Sequence, residues 1–293
     1  MSSGGDSVKL GSPDEEAFDG SYRVLGYGFR IRTELASVAR ALDRALTQFR
    51  APAGSGEATY SVGRRPPKGV YVAHGSSTFA ETEEPAVAVD YVLWHINAEV
   101  IRRTDEFLMI HAGAVAWKGG ALLMPARMNR GKTTLTAGLI RAGFTYLTDE
   151  AALIEPATGM VHPYPKALTL ESGALEALRI DPPVLARGRG EPSTFRHHFL
   201  PGDLRRGAVA GSPQPVGYVI APVYAPREPT SVVPISRAEA VHILAQRAFN
   251  LDLLGARGLS ALVLALRSAQ CYRMRVGDLD SAVGAVREVV RAG

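Results

Sequence analysis

The chain has a single cysteine, Cys271, among 293 residues. It therefore has no internal disulfide, and the alternating stretch Cys271-Tyr-Arg-Met-Arg-Val276 reads as a strand that packs the thiol rather than exposing a nucleophile. There is no run of about 18 or more uncharged apolar residues, so no membrane span and no membrane partner are expected. The N-terminus, Met1-Ser-Ser-Gly-Gly-Asp6, lacks the basic-then-apolar order of a signal peptide, and the cytoplasm is the expected compartment. None of the seven histidines falls in a His-x-x-x-His or Cys/His pattern, so no metal cluster of that kind is expected. Charge of one sign is also scarce: a net +4 is modest for this length and implies no nucleic-acid partner. With 46% hydrophobic residues, the chain can bury one large core or two modest ones.

What is present is well punctuated. Residues 1–20 are rich in Ser, Gly, Asp and Glu and are expected to be a disordered tail. Residues 21–104 read as a small α+β region: one strand over 22–33, a helix over 35–49, strands at 59–62 and 69–73, and an amphipathic helix from Pro85 to Arg103. Residues 105–293 read as α/β, beginning with a strand over 107–117, a turn at Lys118-Gly-Gly120 and a short apolar strand over 121–124. Further strands are expected at 145–148, 151–155, 216–223 and 271–276. Helices are expected over 237–250 and 254–267, and a last one to Ala292 is capped from Asp278-Leu-Asp280. The apolar helical stretches 241–253 and 259–266 could pack within the chain or against a second copy, which leaves a homo-oligomer open.

The strongest chemical signal is Ala126-Arg127-Met128-Asn129-Arg130-Gly131-Lys132-Thr133, a phosphate-binding loop pattern with alanine at its usual first glycine. Its context fits, because an apolar strand precedes it and Leu135, Leu139 and Ile140 share a helical face after it, with Gly143 as a stop. N–H groups at such a helix start face phosphate oxygens, and the helix dipole favours their charge. Lys132 would neutralise phosphate, the Thr133 hydroxyl would bind Mg²⁺, and Thr134 extends the contact surface. Asn129 is expected to tolerate positive φ in the loop. An ordinary basic strand-to-helix turn is the alternative reading.

Asp149-Glu150 follows the strand over 144–148, which is expected to return beside the loop's own strand. Adjacent carboxylates at a strand end can divide labour, one holding Mg²⁺ and one taking a proton from an attacking hydroxyl. His111, inside the small-residue stretch Ile110-His-Ala-Gly-Ala-Val115, is either a hydrogen-bonded structural histidine or a group that positions a reacting partner. A basic stretch, with Arg187, Arg189, Arg196, His197, His198, Arg205 and Arg206, reads as a solvated loop or as a lid near the phosphate site.

Together the His111 stretch, the phosphate loop, Thr148-Asp-Glu150 and His162-Pro-Tyr-Pro-Lys166-Ala-Leu resemble the catalytic domain of the HPr kinase/phosphorylase family, over residues 105–290. The similarity is to its stand-alone branch, which includes lasso-peptide kinases. The resemblance implies an α/β P-loop domain of the HPr kinase/phosphoenolpyruvate carboxykinase type with a mixed sheet. It implies Asp149 as general base, His111 as its catalytic partner, and Lys132 and Thr133 on phosphate and Mg²⁺. Glu150 stands where the family commonly has a second aspartate, and Ala126 and Asn129 replace usual glycines. Lys166 matches a basic position of the family's pattern, and Arg196 is a further candidate for phosphate or substrate contact.

The resulting expectation is an ATP- and Mg²⁺-dependent kinase for a hydroxyl, with a serine of a peptide or protein, such as a ribosomal-peptide precursor, as the leading acceptor. A small-molecule hydroxyl kinase and a non-catalytic nucleotide-binding or scaffold protein are the alternatives.

Overall fold

The computed structural model describes residues 17–126, 131–182 and 196–292. The stretch read as one strand over 22–33 is a hairpin, β1 (Phe18–Val24) and β2 (Tyr27–Thr33), because the chain reverses at Leu25, which takes φ 51°. The expected tail lies outside the described residues up to Glu16, whereas Phe18–Gly20 is already strand. α1 (Ala36–Ala45) buries Val38, Leu42 and Ala45 and, with a short helical turn at Thr47–Phe49, carries the chain to β3 (Ala58–Arg64), which is parallel to β2. β4 (Val70–His74) and β5 (Ser77–Thr82) follow antiparallel, giving a five-stranded sheet in sequence order. β5 has no apolar alternation because it is an edge strand with no fully buried residue.

α2 (Pro85–Arg103) starts on a proline, whose missing N–H would have no helical partner there anyway. It lays Ala88, Val89, Val92, Ile96 and Val100 into the core of this first sheet.

β6 (Leu108–Trp117) and β7 (Gly120–Pro125) form a hairpin whose turn residues Lys118 and Gly119 take φ 47° and 83°. α3 (Lys132–Arg141) follows, then β8 (Thr145–Thr148), β9 (Ala151–Ile154), β10 (Val161–His162), β11 (Leu168–Leu170), α4 (Ser172–Leu178), β12 (His197–Phe199) and α5 (Pro201–Leu204). The chain closes with β13 (Val216–Tyr224), β14 (Ser231–Pro234), α6 (Arg237–Ala245), α7 (Leu251–Ala265), β15 (Gln270–Val276) and α8 (Leu279–Ala292). The eight-stranded sheet runs β10-β9-β6-β7-β13-β15-β14, with β8 also on β6, and β11 pairs with β12 separately. It is mixed: β13 is parallel to β7 and β15, and the other pairs are antiparallel.

Adjacent residues of β7 point to opposite faces, as strand geometry requires. Leu122 packs with Leu135, Leu139 and Val286 under α3 and α8, whereas Leu123 packs with Leu244 and Leu262 under α6 and α7.

Three further expectations need correction. β8 does not return beside the loop's strand; it pairs with β6, because β7 already has β6 on one edge and β13 on the other. The helix expected over 237–250 stops at Ala245, since the Asn250 side chain is used across the fold: Oδ1 accepts from Met109 N–H at 3.0 Å and Nδ2 donates to the Phe107 carbonyl at 2.9 Å. The basic stretch is solvated only in part where it is described: Arg196 and Arg206 are exposed, whereas His197 is buried and Arg205 donates to the Ile140 and Phe144 carbonyls at 3.0 and 2.8 Å, satisfying the end of α3. Arg187 and Arg189 lie outside the described residues. The expected Asp278 cap is present, with Oδ1 accepting from Ser281 N–H at 2.8 Å.

Candidate active site

The site grows from β6, which carries partners on both edges. His111 lies opposite Ala151 of β9, Ala114 lies opposite Thr148 of β8, and the register shifts between Ala114 and Val115. Between those pairs the Ala112 N–H donates to the Glu150 carbonyl at 3.1 Å. The break between β8 and β9 therefore sets Asp149 and Glu150 directly beside His111.

The same strand positions α3. A Cβ on Gly113 would meet Thr136 Oγ1 at 2.5 Å and Lys132 Cγ at 3.2 Å, so only glycine lets the helix's first turn lie this close. Thr136 Oγ1 donates to the Lys132 carbonyl at 2.9 Å and fixes that turn. Gly131 takes φ 73° at the helix N-cap, so the left-handed residue within the described part of the loop is this glycine. Ala126 is buried at the end of β7, while Arg127, Met128, Asn129 and Arg130 lie outside the described residues.

Charge inside the site is dense and unevenly paired. Asp149 is 1% exposed. Its Oδ1 stands 3.0 Å from Lys166 Nζ and 2.9 Å from the Tyr146 hydroxyl, which is also 3.0 Å from the Lys166 carbonyl. Burial, helped by the Asp149 carboxylate, pushes the Tyr146 phenol far above its ordinary value, so it remains a donor. Burial works against the Lys166 ammonium, but Asp149 and Glu150 outweigh it and raise its pKa.

Glu150 shows the same competition with the opposite charge. Burial opposes its carboxylate, yet His111 Nε2 at 3.4 Å from Oε1, with Lys166 and Lys132 nearby, holds its pKa at about 2. Lys132 is the exception. Its Nζ is buried without a hydrogen-bond partner among the described residues, and burial pushes its pKa down to about 8 against the pull of Glu150 and Asp149.

A cleft of about 480 Å³ gathers Gly131, Lys132, Thr133, Thr134, His111, Asp149, Glu150, Lys166 and Arg196 on its walls. The sequence-derived site residues on both sides of the undescribed loop thus meet in one place, with Ala126 outside the lining. Arg196 sits at the edge, 3.8 Å from Glu171 Oε1 and half exposed.

The opposite wall was not legible beforehand. It comes from α2, whose Asp90 Oδ1 is 2.6 Å from His198 Nε2 and whose Asn97 Oδ1 accepts from the Tyr164 hydroxyl at 2.9 Å. Thr169 Oγ1 lies 3.2 Å from His198 Nδ1 and completes that contact. The usable signal was a second stripe in the helix, Asp90, Trp94, Asn97 and Ile101, at helical spacing beside the buried one.

Among the described residues no group of three or more His, Cys, Asp and Glu side chains is arranged to hold a metal ion. No described helix is long and apolar enough to cross a membrane. Comparison with protein-family models found no match to the chain, and comparison with curated proteins found none either.

Proposed function

We propose that the chain is a phosphotransferase that uses ATP and Mg²⁺ to phosphorylate a hydroxyl, within an α/β fold of the HPr kinase/phosphoenolpyruvate carboxykinase type, and that it works in the cytoplasm. The observation that carries this reading is the Lys132 ammonium, buried at the start of α3 with no hydrogen-bond partner among the described residues and with Asp149 and Glu150 beside it. A buried cation without a partner is costly unless an anion completes it. The helix start supplies further donors for the same anion, since the N–H groups of Lys132, Thr133 and Thr134 have no acceptor within the helix.

The residues also suit magnesium that arrives with a nucleotide. Such an ion takes one or two protein oxygens and completes its shell with phosphate oxygens and water, so Thr133 Oγ1 and the Glu150 carboxylate suffice to hold it. When bound, it would neutralise charge developing on the transferred phosphoryl group.

Asp149 takes the acceptor's proton. Both of its side-chain contacts fall on Oδ1, leaving Oδ2 for an incoming hydroxyl. The acceptor oxygen bonds to the γ-phosphorus, the bond from that phosphorus to the bridging oxygen breaks, ADP departs, and the hydroxyl proton passes to Asp149. Lys132 faces the phosphates throughout, and Lys166 and Tyr146 hold Asp149 in place. Positioning and charge stabilisation supply most of the acceleration in such transfers. His111, 3.4 Å from Glu150, orients that carboxylate. Lys166 and Arg196 are candidates for contacts with the acceptor or its phosphate.

The test is transfer of radiolabelled γ-phosphate from ATP, with Mg²⁺, to serine peptides. Asp149→Asn is expected to abolish transfer while calorimetry shows nucleotide binding retained. Undiminished transfer by that variant removes Asp149 from the base role.

A further inference from the structure

α2 presents two stripes. One, Ala88, Val89, Val92, Ile96 and Val100, is spent on the first sheet's core. The second faces the cleft with Asp90, Leu93, Trp94, Asn97 and Ile101. Its polar members already have partners: Asp90 is held by His198 and Asn97 by Tyr164. What it offers a ligand is therefore apolar, and Leu46 and Phe49 extend the surface along the same cleft.

This wall adjoins the carboxylate rather than standing apart from it. The contacts run from Asp149 to Lys166, from the Lys166 N–H to the Tyr164 carbonyl at 2.9 Å, and from the Tyr164 hydroxyl to Asn97. The cleft also reaches solvent, since Trp94 is 63% exposed and the Glu171 side chain 66%. An acceptor can therefore be a segment of chain that enters from outside.

We infer that the cleft-facing stripe of α2 is the acceptor-recognition wall, and that it selects a peptide whose hydroxyl residue is flanked by a large apolar side chain. The inference rests on the kinase reading for the identity of the ligand. A charged flank lying on α2 would lose water against Leu93, Trp94 and Phe49, and the one carboxylate of that wall, Asp90, is already held by His198 at 2.6 Å. An apolar flank covers the exposed indole, and buried tryptophans at the centre of a contact commonly dominate its energy.

The experiment uses the full chain with Trp117→Phe, so that Trp94 is the sole tryptophan emitter. Its probes are the peptides Gly-Gly-Leu-Ser-Leu-Gly-Gly and Gly-Gly-Asp-Ser-Asp-Gly-Gly, titrated with ADP and Mg²⁺ present. The leucine peptide is expected to change Trp94 emission and to bind roughly tenfold or more tighter than the aspartate peptide. In the chain that retains Trp117, Trp94→Ala is expected to raise KM for the leucine peptide while ATP affinity is retained, with Trp94→Phe restoring part of the loss. Trp94 is largely exposed, so its truncation leaves the core intact.

Equal binding of the two peptides overturns the inference. So does a Trp94 signal that answers to ATP alone together with weaker ATP binding by Trp94→Ala, which would give the wall to the nucleotide base. Discrimination between the peptides without any phosphate transfer supports the recognition wall and overturns the kinase reading instead.

Discussion

Lys132 and Lys166 share one cleft and receive opposite treatment. Lys166 has Asp149 at 3.0 Å and its pKa rises; Lys132 has no hydrogen-bond partner among the described residues, and burial lowers its pKa from 10.5 to about 8. At pH 7 both folded and unfolded chains carry the Lys132 proton, so the cost of burying that charge is fully present. Between about pH 8 and 10.5 the unfolded chain holds more protons than the folded one, so this cost fades as pH rises. Lys132→Met is therefore expected to be more stable than the parent at pH 7, by at most about 3 kcal/mol, with the advantage gone above pH 10.5. Urea denaturation at pH 7 and pH 10.5 checks it. A bound triphosphate reverses the balance by favouring the ammonium. Nucleotide affinity should then fall as pH rises through 8, and calorimetry near that pH should show proton uptake on binding in the parent and none in Lys132→Met. Lys166→Met acts in the other direction, leaving the Asp149 carboxylate buried without its cation, a loss of about 3–5 kcal/mol. Adding Asp149→Asn should recover part of that loss. A double variant no more stable than Lys166→Met would show that the pair is not what Lys166 contributes.

Elements were legible where apolar periodicity and punctuation agreed. The span of α2, the β6–β7 hairpin and α3 all follow from such signals in the chain. β5, β11, β12 and β14 did not announce themselves, because strands this short and partly exposed show too little alternation. The Gly131-Lys-Thr133 helix start, Asp149-Glu150 and His111 stood out as candidates because their residue types are unusual beside apolar strands. Their meeting point was not, since it depends on β8 and β9 both pairing with β6. Asp90 and Asn97 were hidden for another reason: a polar residue on a helix's second face looks like any solvated position until a neighbour covers it. Gly113 is the clearest case of an element-level constraint visible only in three dimensions. Gly113→Ala places a methyl carbon 2.5 Å from Thr136 Oγ1 and 3.2 Å from Lys132 Cγ, so the first turn of α3, and Lys132 with it, is pressed away from β6. The expected cost is about 1–3 kcal/mol of stability together with weaker nucleotide binding. Thr136→Ala in the same chain removes the obstructing oxygen and should restore part of both. Two losses that simply add would rule out the contact as the cause.

At the scale of the whole molecule, the two sheets share a core. Met109, Ala151, Leu153 and Tyr164, all from the part of the chain that builds the eight-stranded sheet, are buried in the same cluster as Phe29, Val92 and Ile96. An ion pair and a hydrogen bond cross the same junction, Arg44 to Asp203 at 2.7 Å and Asp90 to His198 at 2.6 Å. The apolar cluster carries more weight than the Arg44–Asp203 pair, because a partly exposed ion pair contributes at most about 1 kcal/mol. Removing residues 1–104 would bare that cluster, so the five-stranded sheet and the cleft should lose structure together. The two tryptophans test this, since Trp94 lies on α2 and Trp117 at the end of β6 beside Phe144. Trp117→Phe leaves Trp94 to report on one side, and Trp94→Phe leaves Trp117 to report on the other. Both reporters should give one coincident urea transition, as coupled unfolding requires. Leu153→Ala should then lower both midpoints together, with a loss of about 2–5 kcal/mol. Separate transitions, or a Leu153→Ala effect confined to the Trp117 reporter, would mean that α2 can part from the Asp149 wall. The cleft would then be a contact between independently folding units, and acceptor recognition would depend on how often they close.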